Sequence, residues 1–121
     1  MPAFADRVLE TATTTGVSDF TTAGARTGYE TFNTAFGTNM PFYYAIIAVD
    51  GSDVPTGQWE VGVGYLSAST TLVRETVMQS SSSDAAVDFA AGTKLLFSNL
   101  PAEIFLQNQF AHVMLNPMIQ L

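Results

Sequence analysis

Two apolar runs separated by one turn constrain the fold of this chain most strongly. The first run, Phe42–Val49, is aromatic and β-branched without charge, which is typical of a strand buried on at least one face. The second run, residues 58–66, alternates with a period of two, as a pleated strand with one dry side does. Its two faces are Trp59, Val61, Val63 and Tyr65, which we expect to be buried, and Glu60, Gly62, Gly64 and Leu66. Because residues 50–57 are rich in Asp, Gly, Ser and Pro, which bend a backbone, the runs predict an antiparallel hairpin at the centre of the core.

Short strand-like segments, separated by Gly, Ser and Asn, flank this hairpin. They are the Thr-rich residues 6–15, residues 19–23 with Phe20 inward, and residues 71–79, 85–89 and 94–100. Tyr29, Phe32 and Phe36 are spaced as on a helix, which predicts one or two turns that plug the end of a barrel. The pattern predicts an all-β domain, a small antiparallel β-sandwich or barrel with a short helical plug and a C-terminal helical or extended docking tail.

Composition excludes several classes of function. The chain has 121 residues, which fits one domain, and no cysteine, so it has no disulfide framework. Its net charge of −7 leaves no cationic footprint for nucleic acid or for an anionic membrane surface. No apolar stretch is long enough to span a bilayer, and we find no signal peptide. A surface of hydroxyls and small residues, with only 12% charged residues, suits a protein packed among other proteins.

The C-terminal segment, residues 103–121, differs from the rest because it is apolar on almost all sides. A free helix of this composition would expose a large apolar patch, which usually marks a contact. Two interpretations stay open: the segment docks on a subunit of the same or another protein, or it closes the barrel of its own domain. The candidate contact residues are Ile104, Phe105, Leu106, Phe110, Val113, Met114, Leu115, Met118, Ile119 and Leu121.

No motif predicts catalysis, a metal or a cofactor. His112 is the only histidine, and without Cys or a second His it cannot complete a zinc site. Residues 50–53 (DGSD) space their oxygen ligands faintly like a calcium loop, but the rest of that pattern is missing, so we interpret them as a plain turn. Residues 80–83 have neither the nucleophile setting nor a histidine base, and Asp84 and Asp88 are paired carboxylates in sequence only. We therefore read the chain as a non-enzyme.

Two further pairs are interpreted as structural. Gly62 and Gly64 lie inside a strand pattern, where glycine lets another backbone, or the Tyr29 region, approach closely. Arg74 lies between apolar neighbours, and we expect it to form a partly buried salt bridge with Glu75 rather than to hold a substrate.

Several strings, taken together, resemble a module of tailed-bacteriophage virion proteins. The opening string is DRVLETATTTGVSDFTTAGARTGYETF, with its Asp-Arg-Val, Thr run and Gly-aromatic pair. The middle matches the module's Tyr-Tyr-Ala and Trp-Glu-Val-Gly strands. The last string, TLVRETVMQSSSSDAAVDFAAGTKLLFSNLPA, is similar to its Thr-Leu-x-Arg, Ser-Ser, Ala-Val-x-Phe and Ala-Gly-Thr-Lys run. The resemblance is collinear from Asp6 to Ala102, and it implies a small β-rich structural module of tail fibres, tail accessory proteins or head fibres, without catalysis.

The resemblance divides the chain into a β-rich virion module, residues 1–102, and an apolar docking tail, residues 103–121, that lies outside the pattern. In many relatives the module is part of a longer fibre protein, whereas here it begins at Met1, which favours an adaptor or decoration role over receptor binding. Residues carried over from the pattern mark the fold and not a binding site; they are Asp6, Arg7, Trp59, Arg74 and Lys94.

These inferences predict a virion structural protein, a tail or head-to-tail adaptor or accessory subunit that anchors a fibre or neighbouring ring. A capsid decoration or head-fibre protein is the alternative. A carbohydrate-binding module, using aromatics such as Tyr29, Tyr43 or Trp59, is less expected because the alternation buries Trp59. We expect a homo-oligomer with other virion proteins as partners, located in the virion after assembly in the bacterial host cytoplasm, with no cofactor, nucleic acid or membrane.

Overall fold

The structure is a computed structural model that describes residues 2–100. Within this range the chain forms six strands and one short helix. The strands are β1 (Leu9–Ala12), β2 (Phe20–Thr21), β3 (Phe42–Val49), β4 (Pro55–Ala68), β5 (Thr71–Ser80) and β6 (Thr93–Phe97), and the helix is α1 (Phe32–Phe36). Every pair of neighbouring strands is antiparallel, which confirms the predicted all-β class.

One sheet contains these strands in the order β1-β6-β3-β4-β5-β2. The chain that follows β2 returns to the opposite edge of the sheet. There the Ala23 N–H donates to the Thr11 carbonyl at 2.7 Å, and the Arg26 N–H donates to the Leu9 carbonyl at 3.1 Å. Because these bonds join the two edges, the sheet is a nearly closed, barrel-like structure.

The core lies inside this barrel, and β3 crosses its centre. On β3 the side chains of Phe42, Tyr44 and Ile46 point inward and are fully buried. They join a cluster contributed by other strands, α1 and the loops, which includes Val8, Ala12, Phe20, Phe32, Leu66, Leu72, Val87, Phe89 and Leu96. The predicted hairpin is confirmed, since β3 pairs with β4 from Phe42 opposite Gly64 to Ile47 opposite Trp59.

The predicted orientation of β4 is wrong. The residues that face the interior are Glu60, Gly62, Gly64 and Leu66, whereas Trp59, Val61, Val63 and Tyr65 face outward and are half-buried. Space decides the orientation, because Tyr44 occupies the interior opposite β4. A Cβ on Gly62 would clash with the Thr76 carbonyl oxygen and lie 3.0 Å from the Tyr44 hydroxyl. The predicted close backbone approach at the glycines is therefore confirmed, but β5 and Tyr44 make it, not the Tyr29 region.

Helix α1 is shorter than the predicted segment 29–36. The Thr31 side chain caps it by accepting a hydrogen bond from the Thr34 N–H at 3.0 Å. Phe32 is fully buried and its ring stacks on Phe42 with 4.9 Å between ring centroids. The helix ends at Gly37, whose φ of +71° is a left-handed conformation that favours glycine. Its role as a plug of the barrel stays a prediction.

The remaining strand predictions have mixed outcomes. Strands β2 and β5 lie where the sequence predicts them, with Phe20 inward. The strand predicted over 85–89 is wrong: only an isolated bridge between Gly16 and Phe89 forms there. Val87 and Phe89 are buried by packing in the core and not by pairing in a β-ladder. Apolar composition alone therefore does not predict a strand here. Strand β6 ends at Phe97, before the predicted residue 100.

Candidate functional site

The candidate contact residues from Ile104 to Leu121 lie outside the described residues, so their role stays a prediction, as does the domain boundary at residue 102. Within residues 2–100 two features qualify as candidate sites. One is a cluster of polar and charged side chains inside the barrel. The other is an apolar surface on the outside of three adjacent strands.

The charged cluster consists of Tyr44 on β3, Glu60 on β4 and Arg74 on β5. Nη2 of Arg74 donates to Oε1 of Glu60 at 2.5 Å, and Nε donates to Oε2 at 2.7 Å, which makes a bidentate ion pair. The exposed fractions of the Arg74 and Glu60 side chains are 2% and 0%. The predicted pairing of Arg74 with Glu75 is wrong, because consecutive strand residues point to opposite faces and Glu75 is exposed.

The Glu60 carboxylate is fully hydrogen-bonded. Besides Arg74, its Oε2 accepts from the Tyr44 hydroxyl at 2.7 Å, and its Oε1 accepts from the Val87 N–H at 2.9 Å. A buried carboxylate is tolerated only when it is paired and hydrogen-bonded in this way. The cluster thus joins β3, β4 and β5 to the loop that contains Val87.

Arg74 links two further segments to β5 through their backbones. Its Nη1 donates to the carbonyls of Gly16 and Ser18, both at 3.1 Å, and its Nη2 donates to the Val87 carbonyl at 2.8 Å. Two aromatic rings lie near the guanidinium carbon, at 5.0 and 5.3 Å from the ring centroids, and belong to Phe20 and Phe89. A single side chain therefore fixes the loop before β2 and the loop before β6.

Burial and hydrogen bonding act in opposite directions on the ionisation of the cluster. Burial would raise the pKa of Glu60, but hydrogen bonds from Arg74, Val87 and Tyr44 outweigh burial and hold this pKa below its ordinary value. Burial would also lower the pKa of Arg74, and the bonds to Glu60 raise it instead. Burial, followed by the charge of Glu60, raises the pKa of Tyr44. Both charges and the Tyr44 proton are therefore retained, which suits a structural cross-link.

Two more ionisable side chains lie inside the barrel. Lys94 on β6 is fully buried and its Nζ donates to the Ala90 carbonyl, while burial lowers its pKa. Glu10 on β1 is buried as well, and its Oε2 accepts from the Phe32 N–H at 2.9 Å. A carboxylate at this position satisfies a free N–H at the start of α1 and so holds the helix against the barrel.

The second candidate site is the outward surface of β3, β4 and β6, which we call the outer face. Its side chains are Tyr43, Ala45 and Ile47 on β3; Trp59, Val61, Val63 and Tyr65 on β4; and Leu95 and Phe97 on β6. The register sets them in rows across the three strands, with Ile47 between Trp59 and Leu95 and Ala45 between Val61 and Phe97. The outer face carries no charged side chain, and its members are buried or half-buried.

An apolar cleft adjoins the end of the outer face where β3 begins. Its volume is about 300 Å³, and it is lined by Pro2, Ala3, Met40 and Pro41. The N-terminal segment reaches this point because the Ala3 N–H donates to the Pro41 carbonyl at 3.0 Å, and the Ala3 carbonyl accepts from the Tyr43 N–H at 2.9 Å. The cleft therefore lies beside the start of β3.

The four cationic side chains of the chain all have partners inside the protein. Arg26 forms an exposed bidentate pair with Asp53 at 2.9 and 3.0 Å. Arg7 lies over the ring of Tyr29, 4.4 Å from its centroid. The other two, in the charged cluster and on β6, are buried. No cationic patch is therefore available among residues 2–100 to bind an anionic partner.

The turn at residues 50–53 is held by its own side chains. Oδ1 of Asp50 accepts from the N–H groups of Ser52 and Val54 at 2.8 and 3.0 Å, and Asp53 is engaged by Arg26. In the described part of the chain, no group of three or more His, Cys, Asp or Glu side chains could hold a metal ion. Among residues 2–100, no helix has the length and apolar character needed to cross a membrane.

Comparisons of the chain with protein-family models, with curated proteins and with solved structures find no match. Four of the strings quoted from the sequence have a common location in the structure. Tyr-Tyr-Ala contributes Tyr44, Trp-Glu-Val-Gly contributes Glu60, Thr-Leu-x-Arg contributes Arg74, and Ala-Val-x-Phe contributes Val87. Residues from four separate strings thus meet in one hydrogen-bonded cluster.

Sequence reasoning missed Glu60, the acidic member of this cluster. A signal for it exists, because Glu60 is in phase with Leu66 on β4 and Arg74 is in phase with Leu72 on β5. Opposite charges in phase with buried leucines on adjacent strands predict an internal ion pair.

Proposed function

We propose that this chain is a bacteriophage virion structural protein, an adaptor or accessory subunit of the tail or of the head-to-tail region that anchors a fibre or neighbouring ring. Capsid decoration or a head fibre is the alternative role. In this proposal the protein is not an enzyme. It forms a homo-oligomer, assembles with other virion proteins in the bacterial host cytoplasm, and is located in the virion.

The observation that carries the proposal is the collinear resemblance of the strings, which here build a β-rich barrel of the kind the resemblance implies. The strings span most of residues 6–102 and include the residues of the buried charged cluster. Here Tyr44, Glu60, Arg74 and Val87 come from four strings and are joined by direct hydrogen bonds. The resemblance is thus carried by the residues that build the core of a β-rich module.

The outer face supports an assembly role for that module. An uncharged surface of three strands, with the apolar cleft beside it, can contribute about 25 cal/mol for each Å² of apolar area buried, less the entropy of ordering the partner. Partners that carry phosphates are disfavoured, because the cations of the described chain are already engaged.

The predicted burial of Trp59 makes a carbohydrate-binding module less expected, and the structure removes that argument because Trp59 faces outward. Its neighbours in the row, Ile47 and Leu95, are aliphatic. A sugar site pairs an aromatic platform with several convergent hydrogen-bonding groups, whereas the side chains in the row of Trp59 are aliphatic. Contact with protein is therefore the better use of the outer face.

The proposal is tested on phage particles purified from a culture of the host that carries this gene. Quantitative mass spectrometry should find the chain in intact particles at a fixed ratio to a major tail or head protein. Its absence from intact particles would overturn the virion role. Light scattering of the purified chain at several concentrations tests the homo-oligomer separately, since a monomer throughout would contradict that part alone.

A further inference from the structure

The outer face is an apolar surface that points away from the core and yet is closed to solvent in part. Tyr43 and Ala45 have exposed fractions of only 2% and 3%, although they alternate with the inward side chains of β3. Val61 and Phe97 flank Ala45 in its row, but Tyr43 is a large side chain at the end of the face. Segments outside the three strands contribute to this burial, and one of them is the N-terminal segment, whose Ala3 carbonyl accepts from the Tyr43 N–H at 2.9 Å.

The chain leaves the described structure beside this end of the outer face. Strand β6 ends at Phe97, which is itself part of the face. The next residue, Ser98, accepts from the Ala5 N–H at 3.3 Å, and Ala3 is bonded to the start of β3. The exit of the chain therefore lies next to Tyr43 and the apolar cleft.

One polar atom at the exit points to a missing partner. Oδ1 of Asn99 is buried and receives no hydrogen bond from residues 2–100. A buried amide oxygen without a donor is destabilising, so native proteins satisfy nearly all of them. The residues that follow Asn99 along the chain are the nearest source of such a donor.

The segment that follows has the length and composition to cover the face. Residues 103–121 would span about 28 Å as a helix and about 60 Å when extended. Three adjacent strands span about 10 Å, and residues 43–47 span about 14 Å, so either conformation is sufficient. The segment has one charged residue, Glu103, and ten large apolar side chains, which match a surface without charge.

We propose that residues 103–121 dock on the outer face of their own chain. A tether that begins at the edge of a face gives an effective concentration of about a millimolar, which a second copy does not reach in dilute solution. The proposal does not rest on the virion role. It concerns the free subunit, in which the predicted contact residues occupy the outer face that assembly would otherwise use.

The full-length protein itself provides the first test. Hydrogen exchange measured by mass spectrometry, at a dilution where light scattering gives a monomer, should show residues 103–121 exchanging at least about tenfold more slowly than an unstructured peptide. Exchange at the unstructured rate in the monomer would overturn the proposal. Protection that appears only at concentrations where dimers form would also overturn it, and would assign the segment to a second copy.

The single tryptophan provides the second test, because Trp59 lies on the outer face. A full-length variant with Leu106→Gln, Phe110→Gln and Met114→Gln should show red-shifted emission and stronger acrylamide quenching, with an unchanged far-ultraviolet spectrum. The matched control carries Gln107→Ser and Gln109→Ser and should keep the emission of the original protein. Unchanged emission in the apolar-to-Gln variant would contradict docking on this face, whatever the result for phage particles.

Discussion

Tyr44 on β3 lies directly opposite Gly62 on β4, and its hydroxyl would lie 3.0 Å from a methyl group placed on that glycine. The relationship explains why a strand rich in valine and aromatics has glycine on its inner face. The large inward ring of Tyr44 and the backbone of β5 occupy the volume that a side chain on β4 would need. The hydroxyl at the end of that ring then reaches Glu60 at 2.7 Å.

Gly62→Ala should therefore destabilise the protein. The added methyl group meets the Thr76 carbonyl, which belongs to the backbone of β5 and cannot move without shifting the strand. We expect the free energy of unfolding in urea to fall by about 1–3 kcal/mol. Gly51→Ala is the matched control, because nothing lies within 4 Å of its Cβ position and it should change stability by less than about 0.5 kcal/mol. Equal effects at the two glycines would contradict this packing.

Removing the charge of Glu60 should be more damaging. Glu60→Gln keeps the shape of the side chain but leaves the buried guanidinium of Arg74 without its counter-ion. Breaking a buried pair in this way costs about 3–5 kcal/mol, which urea unfolding would measure. Asp53→Asn breaks the exposed pair with Arg26 and should leave the unfolding midpoint almost unchanged. A small effect at both positions would mean that the buried pair is not the main cross-link.

Acid should weaken the fold through the same carboxylate. The pKa of Glu60 in the folded protein lies below its ordinary value of 4.5, so the unfolded state binds the proton first as the pH falls. The stability that Glu60 contributes is complete above that value and is lost as the pH falls through the folded pKa. Unfolding midpoints measured between about pH 7 and pH 3 should decline less steeply for Glu60→Gln than for the original protein. Parallel declines would assign acid sensitivity to other carboxylates.

The orientation of β4 is tested by comparing Trp59 with a core aromatic. Trp59→Ala should leave a folded protein with a cooperative transition, because the side chain is half-buried on the outer face. Phe20→Ala removes a fully buried ring and should cost about 3–5 kcal/mol in thermal or urea unfolding. An unfolded Trp59→Ala variant beside a stable Phe20→Ala variant would reverse the assigned faces.

Local pattern predicted the strands that depend on periodicity. The hairpin of β3 and β4, strand β5 and the inward Phe20 all follow from alternation and from turn residues between apolar runs. The strand predicted over residues 85–89 is wrong because the burial of these residues has a different origin. The backbone of Val87 donates a hydrogen bond to Glu60, and its side chain packs in the core without joining a β-ladder. Apolar composition does not distinguish a strand from a loop that is packed on the core.

A period of two identifies two faces but not which one is buried. On β4, hydrophobicity favours burial of the face that carries Trp59. Glu60 nevertheless faces the interior, because Arg74 neutralises its charge and the Tyr44 hydroxyl donates a hydrogen bond to it. Those partners lie 14 and 16 residues away along the chain, so no window around β4 contains the reason. The outer face of β4 is apolar although it does not face the core. The pattern of one strand therefore cannot distinguish an apolar outer face from the face that is buried in the core.

The contacts of Arg74 with Gly16, Ser18 and Val87 are made to backbone carbonyls, and this has a consequence for how the sequence can vary. Any residue type presents the same carbonyl, so the loops can change their side chains without releasing the guanidinium. Selection would then act strongly on two charged positions and weakly on the segments they hold. Related chains could share this barrel while keeping few identical residues outside its strands, and the pair formed by Glu60 and Arg74 would be the feature by which to find them.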